Sequence, residues 1–318
     1  MRIIYLGTPA FAAIPLEALA QDGRYTLVGV ITQPDRPAGR GGSLKSPPVK
    51  EVALRLGIPV FQPETLRDLT AVERIAELRP DAGVVAAYGE ILRRNVLAIP
   101  PLGYLNIHPS LLPRYRGPTP VSAAILAGDT EIGVTLMKLD AKMDSGPILT
   151  QRRVPLPIDA RVGPLTEELF RLGAELLTDA LEPYAAGRLD PVPQDDSQAT
   201  YTALLQKSDG IIDWSAPAIQ IERMTRAYDP WPGAQTTWRG QPLKIIAAEA
   251  DPTWAGDLPP GRLFAQDGGV WAATGTGALE LITVQPAGKR SLAGQEWRHG
   301  IQNIDAARLG DHDAGQEH

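Results

Sequence analysis

Four histidines occur in the chain, and His299, His312 and His318 fall in or near its C-terminal tail. His108 alone lies in the apolar body, at the end of the run Tyr104-Leu105-Asn106-Ile107-His108, which Pro109 terminates. Residues two apart on a strand point to the same face, so Asn106 and His108 project together from the strand's carboxyl end. Position alone favours a structural histidine there. The neighbouring amide shifts the balance, because an amide N–H beside an imidazole can bind the oxyanion of a tetrahedral intermediate. Such an imidazole needs a carboxylate to orient it or to steady its charged form. Asp144, in Lys142-Met143-Asp144-Ser145-Gly146, is the candidate, although it reads equally well as an ordinary turn aspartate.

Other chemistries lack their residues. The chain has no cysteine, which removes thiolate nucleophiles and thiolate metal sites. No G-x-S-x-G elbow and no Walker A motif is present. Gly7-Thr8-Pro9 is not a dinucleotide fingerprint, so no NAD is expected. No His/Asp cluster has ligand spacing, so no metal is expected. Acyl-type transfer between two bound substrates remains, without a covalent enzyme intermediate.

The elements around these residues point to an α/β fold. Ile3–Leu6, Leu27–Ile31, Gly83–Ala87, Tyr104–His108 and Ile132–Lys138 read as strands. Phe11–Leu19, Thr65–Leu78 and roughly Gly163–Leu181 read as helices. This alternation predicts a Rossmann-like, mostly parallel sheet. Arg188–Gln198 is rich in Pro, Asp and Gln and reads as a linker, placed at 189–204. Beyond it, a helix near Ala216–Ala227 precedes short strands separated by turns, which predicts a small OB-like β-barrel over 205–304. A polar tail is expected over 305–318. No segment is long and apolar enough to span a membrane, the N-terminus lacks a signal sequence, and a cytoplasmic location is expected.

Pro34–Lys50 stands apart. It holds four Pro, three Gly and four basic residues against the single acid Asp35. That composition excludes a helix or central strand and predicts a long loop after a strand. Either it is a solvated surface loop, or it is a basic arm that meets a phosphate backbone. The net charge of −6 is uneven: residues 1–189 carry 21 basic and 20 acidic residues, and 190–318 carry 10 and 17. Any nucleic-acid contact must therefore use a local patch. The acidic tail offers no assembly interface, and a monomer is expected.

Asn106-Ile107-His108, Ser110-Leu111-Leu112-Pro113-Arg114-Tyr115-Arg116-Gly117 and Leu139–Gly146 resemble the signature of the folate-dependent formyltransferases. Thr32–Gly41, Ala227–Pro232 and Gln285–Lys289 are similar to the members of that family that act on methionyl-tRNA. The resemblance runs from about Arg2 to Arg290. It departs after Arg40-Gly41, where Gly42-Ser43 replace the family's lysines. The resemblance implies that residues 1–188 form a folate-binding catalytic domain with Asn106, His108 and Asp144 as catalytic residues. It implies that Ser110, Leu111, Leu112 and Pro113, with backbone at Ala87, Tyr88 and Gly89, hold the folate. Arg36, Arg40, Lys45 and Lys50 would contact tRNA. The implied reaction carries the formyl group of 10-formyltetrahydrofolate to the amine of methionyl initiator tRNA. Transfer to an amino sugar nucleotide, or hydrolysis of the formylfolate, are the alternatives.

Overall fold

The computed structural model describes residues 1–38 and 43–310. The chain divides into two compact units. The first contains residues 1–120, 131–156 and 164–203; the second contains 121–130, 157–163 and the chain from Leu204. The order of elements to the end of the long helix is β1 (Arg2–Gly7), α1 (Ala13–Gln21), β2 (Thr26–Ile31), β3 (Arg36–Ala38), β4 (Ser43–Lys45), α2 (Pro48–Arg55), β5 (Val60–Phe61), α3 (Leu69–Glu77), β6 (Ala82–Ala86), α4 (Arg94–Leu97), β7 (Tyr104–His108), α5 (Pro120–Ala127), β8 (Glu131–Lys138), β9 (Ile148–Pro155) and α6 (Val162–Ala185). The second unit adds α7 (Ala218–Ala227), β10 (Gln235–Trp238), β11 (Gln241–Asp251), β12 (Leu263–Gln266), β13 (Gly269–Ala273), β14 (Ala278–Pro286), β15 (Leu292–Ala293) and α8 (Gly294–Arg298).

The first unit is built on a seven-stranded sheet of order β5-β2-β1-β6-β7-β8-β9. β5, β2, β1, β6 and β7 pair in parallel, and β8 and β9 add antiparallel strands at one edge. The parallel strands are continuous apolar runs because both faces are covered; every residue of β6 and β7 is buried. The chain leaves β1 toward β2 and β5, then returns to lay β6 and β7 on the other side. The switch therefore falls between β1 and β6, and ligands of open α/β sheets bind beyond the carboxyl ends of strands at such a point.

One helix fixes the depth of β7. The buried face of α6 repeats at helical spacing through Leu165, Leu169, Phe170, Gly173, Leu176, Leu177 and Leu181. A Cβ at Gly173 would overlap the Ile107 side chain and crowd Val134. Glycine thus lets the helix sit against Ile107, and the opposite face of β7 is left to Asn106 and His108.

Three expectations change. The helix expected over 65–78 begins at Leu69. The Glu90 carboxylate accepts hydrogen bonds from Thr65 Oγ1 (2.6 Å) and Leu66 N (3.0 Å), which holds that stretch in a turn, and Asp68 caps the helix at Thr70 N. Pro34–Lys50 is not only loop: β3 and β4 form a hairpin pairing Arg36 with Lys45, and α2 starts at Pro48, where a proline lacks no needed N–H. The described part of the tail, to Gly310, is not frayed. Ala307 and Leu309 are buried in the second unit's core, and Leu309 N donates to Gly261 O (2.8 Å).

The second unit's sheet has the order β10-β11-β14-β13-β12, with β15 on β14, and every pairing is antiparallel. β10 and β12 are the ends of this order, so the pairings among the described residues stop short of a closed ring. Trp214, Ile221, Leu243, Ile245, Leu279 and Trp297 share one core there.

Candidate active site

Asn106 and His108 are 8% and 4% exposed and lie side by side at the carboxyl end of β7. Asp144 joins them. Its Oδ2 lies 3.7 Å from His108 Nδ1 and accepts a hydrogen bond from Gly117 N at 2.7 Å. The other imidazole nitrogen, Nε2, is 2.9 Å from Tyr115 O. A carbonyl can only accept, so Nε2 carries a hydrogen and Nδ1, which faces the carboxylate, is the nitrogen free to gain or lose a proton. The Asn106 amide makes no hydrogen bond to any described residue, so its donors remain available.

The neighbouring loop is braced from within. Thr135, opposite His108 on β8, is fully buried and donates through Oγ1 to Ser110 O at 2.6 Å. It accepts from Leu112 N (3.2 Å) and from Gln151 Nε2 (2.8 Å), and Gln151 also donates to Leu112 O (2.9 Å). Ser110 Oγ donates to Arg114 O (2.7 Å). The polar groups of Ser110 and Leu112 are thus spent on holding shape, and Leu111 and Pro113 are the half-buried members of the four.

On the neighbouring strand, the register of β6 on β7 places Val85 beside Asn106, so Ala87 continues level with His108. Ala87 has φ +47° and Gly89 φ +95°, and both are exposed. Tyr88 between them turns inward at 1% exposure; burial and the Glu90 carboxylate raise its phenol above the usual range, which keeps it neutral. Thr8 Oγ1 ties Tyr88 O to the end of β1 (2.9 Å). Exposed backbone at 87 and 89, level with the amide–imidazole pair, is a suitable edge for a flat heteroaromatic ring.

The four expected tRNA-contacting residues divide. Arg36 pairs with Glu64 at 2.9 Å, both well exposed. Lys45 is exposed and has no ion pair among the described residues. Lys50 is committed inward: its Nζ donates to both oxygens of Asp35 (2.9 and 2.7 Å). Gln62 also donates to Asp35 (2.7 Å). These hydrogen bonds, Gln62 first and then Lys50, hold the Asp35 carboxyl below the usual carboxylate range. Lys50, expected to contact tRNA, is thus paired with Asp35 and fastens the base of the hairpin. Arg40 lies outside the described residues.

Sequence reasoning assigned no role to Thr135, Gln151, Arg116 or Gln194. Thr135 had a readable signal, a hydroxyl inside the apolar strand Ile132–Met137. Arg116 is 2% exposed and bonded to Gln194, Asp196 and Tyr201, partners nearly eighty residues or more away, which no local pattern reveals.

Residues 1–181 match the formyl transferase family, and residues 204–302 match the formyl transferase C-terminal domain. The methionyl-tRNA formyltransferase of Roseiflexus sp. (strain RS-1) is 64% identical over 311 residues, covering 98% of this chain and 96% of that protein. That of Herpetosiphon aurantiacus is 59% identical over 305 residues, covering 96% and 99%. Among solved structures, the N-formyltransferase of Helicobacter canadensis, in complex with folinic acid and dTDP-3-aminofucose, aligns with TM-score 0.64 at 18% identity over 89% of this chain and 98% of that one. HypX of Aquifex aeolicus, in complex with tetrahydrofolic acid, aligns with TM-score 0.62 at 22% identity over 93% of this chain and 46% of that one. These two share the fold. The paired family matches, contiguous with the Asn106–His108–Asp144 corner, place this chain in the formyl transferase family.

Proposed function

We propose that the chain transfers the formyl group of 10-formyltetrahydrofolate to the α-amino group of methionyl initiator tRNA, as its relatives are named for. The observation that carries the chemistry is the convergence of Asn106, His108 and Asp144 at the carboxyl end of β7, with His108 Nδ1 facing the carboxylate.

The amine nitrogen bonds to the formyl carbon, and charge collects on the formyl oxygen. Asn106 donates an amide N–H to that oxygen. His108 Nδ1 takes the amine proton, helped by the Asp144 charge, and delivers it to the folate N10 as the C–N10 bond breaks. Tyr115 O fixes the ring through Nε2–H, and Gly117 N–H holds Asp144 on the Nδ1 side. The braced loop Ser110–Pro113 and the exposed backbone at Ala87 and Gly89 border the folate. Arg36, Arg40 and Lys45 meet the tRNA phosphates, for which a guanidinium is well shaped. The enzyme works as a cytoplasmic monomer; among the described residues no helix is long and apolar enough to cross a membrane.

Transfer of radiolabel from [formyl-14C]10-formyltetrahydrofolate tests this reading. Label appearing on methionyl-tRNA is the expected result. Label appearing only on a dTDP-amino sugar, or only as free formate, would overturn it.

A further inference from the structure

The segment between the two matched regions, read from sequence as a linker, is bonded to the catalytic corner. Its residues 189–203 belong to the first unit. Val192 exchanges two backbone hydrogen bonds with Ile148, each 2.8 Å. Thr200 O accepts from Arg116 N (2.8 Å), Thr202 N donates to Arg116 O (2.7 Å), and Thr200 Oγ1 accepts from Tyr115 N (2.8 Å). The strap thus pairs alongside the segment whose Tyr115 carbonyl fixes His108 and whose Gly117 N–H holds Asp144.

Gln194 sits at the centre. Its Nε2 donates to Asp144 O (2.8 Å) and Gly146 O (2.7 Å), and its Oε1 accepts from Arg116 Nε (3.1 Å) and Nη2 (2.9 Å). The amide orientation is fixed by chemistry: guanidinium only donates and carbonyls only accept. Arg116 is in turn held by Asp196 (2.6 Å) and Tyr201 OH (3.1 Å). Asp144 carries φ +47°, a conformation that a non-glycine residue keeps only when its surroundings impose it. Gln194 grips that residue's own carbonyl and the carbonyl of Gly146, two positions further on.

We propose that Gln194, oriented by Arg116, is a positioning residue for the reaction: it holds the Asp144 turn so that the carboxylate faces His108 Nδ1. This rests on the reading that His108 and Asp144 serve formyl transfer. Reactant geometry is sensitive at this scale, since a displacement of about 1 Å can cost on the order of 100-fold in rate. The strap therefore tunes the turnover step while leaving substrate binding alone.

The near-isosteric change Gln194→Glu separates positioning from mere stability. It keeps the Arg116 contact, now with an opposite charge, but sets a carboxylate oxygen against two carbonyls. The expected result is a thermal midpoint equal to or above the parent's, KM values within about twofold, and a single-turnover rate about tenfold lower. Gln194→Leu, which removes both sides of the contact, should lower the rate similarly. In an Asp144→Ala background either change should cost less than about twofold, because the group being positioned is gone. An Asp144→Ala variant at near-parent rate would instead refute the catalytic reading itself. A slow Asp144→Ala with Gln194→Glu and Gln194→Leu at parent rate would refute the strap. So would Gln194 losses that persist undiminished in the Asp144→Ala background.

Discussion

The Asn106–His108–Asp144 corner, proposed as catalytic, and the basic hairpin were both conspicuous in the sequence, yet they use their charged residues in opposite ways. At the corner, every polar group that sets geometry has a partner: Tyr115 O for His108, Gly117 N for Asp144, Thr135 for the loop. Among the described residues, the Asn106 amide and Nδ1 of His108 make no hydrogen bond, and these are the groups proposed to meet substrate. In the hairpin, charge is not the same as availability. Lys50 is spent on Asp35, Arg36 is lightly paired with Glu64 on the surface, and Lys45 is exposed. Exposed pairs such as Arg36–Glu64 are worth roughly 0–1 kcal/mol, so under the proposed function a phosphate would displace Glu64 at little cost. Preorganisation serves the chemistry, whereas binding a polyanion needs cations that can be released.

The contrast is sharpest in rate. His108→Ala should lower the single-turnover rate about 100- to 1000-fold while methionyl-tRNA still binds, since in the proposed mechanism the ring carries the proton from the amine to the leaving nitrogen. A comparable loss of tRNA affinity in that variant would blur the division between the two regions.

The hairpin's division of labour is read from salt dependence. Lys45→Ala should reduce the slope of log affinity against log salt by about 1, because each phosphate contact releases roughly one counterion. Lys50→Met should leave that slope unchanged, since Lys50 answers to Asp35. Equal slopes for the two variants would break the distinction. The Asp35 clamp also has a pH signature. A carboxyl held below its usual range contributes above its unfolded pKa of about 4 and is lost only as pH falls below that. Hairpin-dependent tRNA use should therefore be flat in this respect between about pH 6 and pH 9.

Gly173→Ala should produce the smallest effect on rate. The added methyl meets Ile107 behind the site, and overpacking of this kind costs about 1–3 kcal/mol. A lowered thermal midpoint with a rate within about threefold of the parent is expected.

The parallel character of the sheet was legible because the buried runs Ile3–Leu6 and Gly83–Ala86 are apolar on both faces, which is what a parallel sheet demands. β9 was not, because an edge strand reading Ile-Leu-Thr-Gln-Arg-Arg-Val-Pro alternates burial weakly. The two-residue β5 is too short for any periodicity. Asn106 and His108 could be paired from strand geometry alone. Asp144 could only be nominated, since its place depends on a turn closed by contacts with Gly117 and Gln194, far along the chain. The strap was hidden for the same reason: its Pro- and Asp-rich composition is that of a linker, and only long-range hydrogen bonds distinguish the two.

The most direct test of the central claim is the single-turnover rate of formyl transfer by Asn106→Ala, measured beside its equilibrium affinity for the formylfolate. A rate about 100- to 1000-fold lower with affinity within about threefold of the parent is predicted, because the amide acts on charge that exists only in the transition state. A near-parent rate would contradict it.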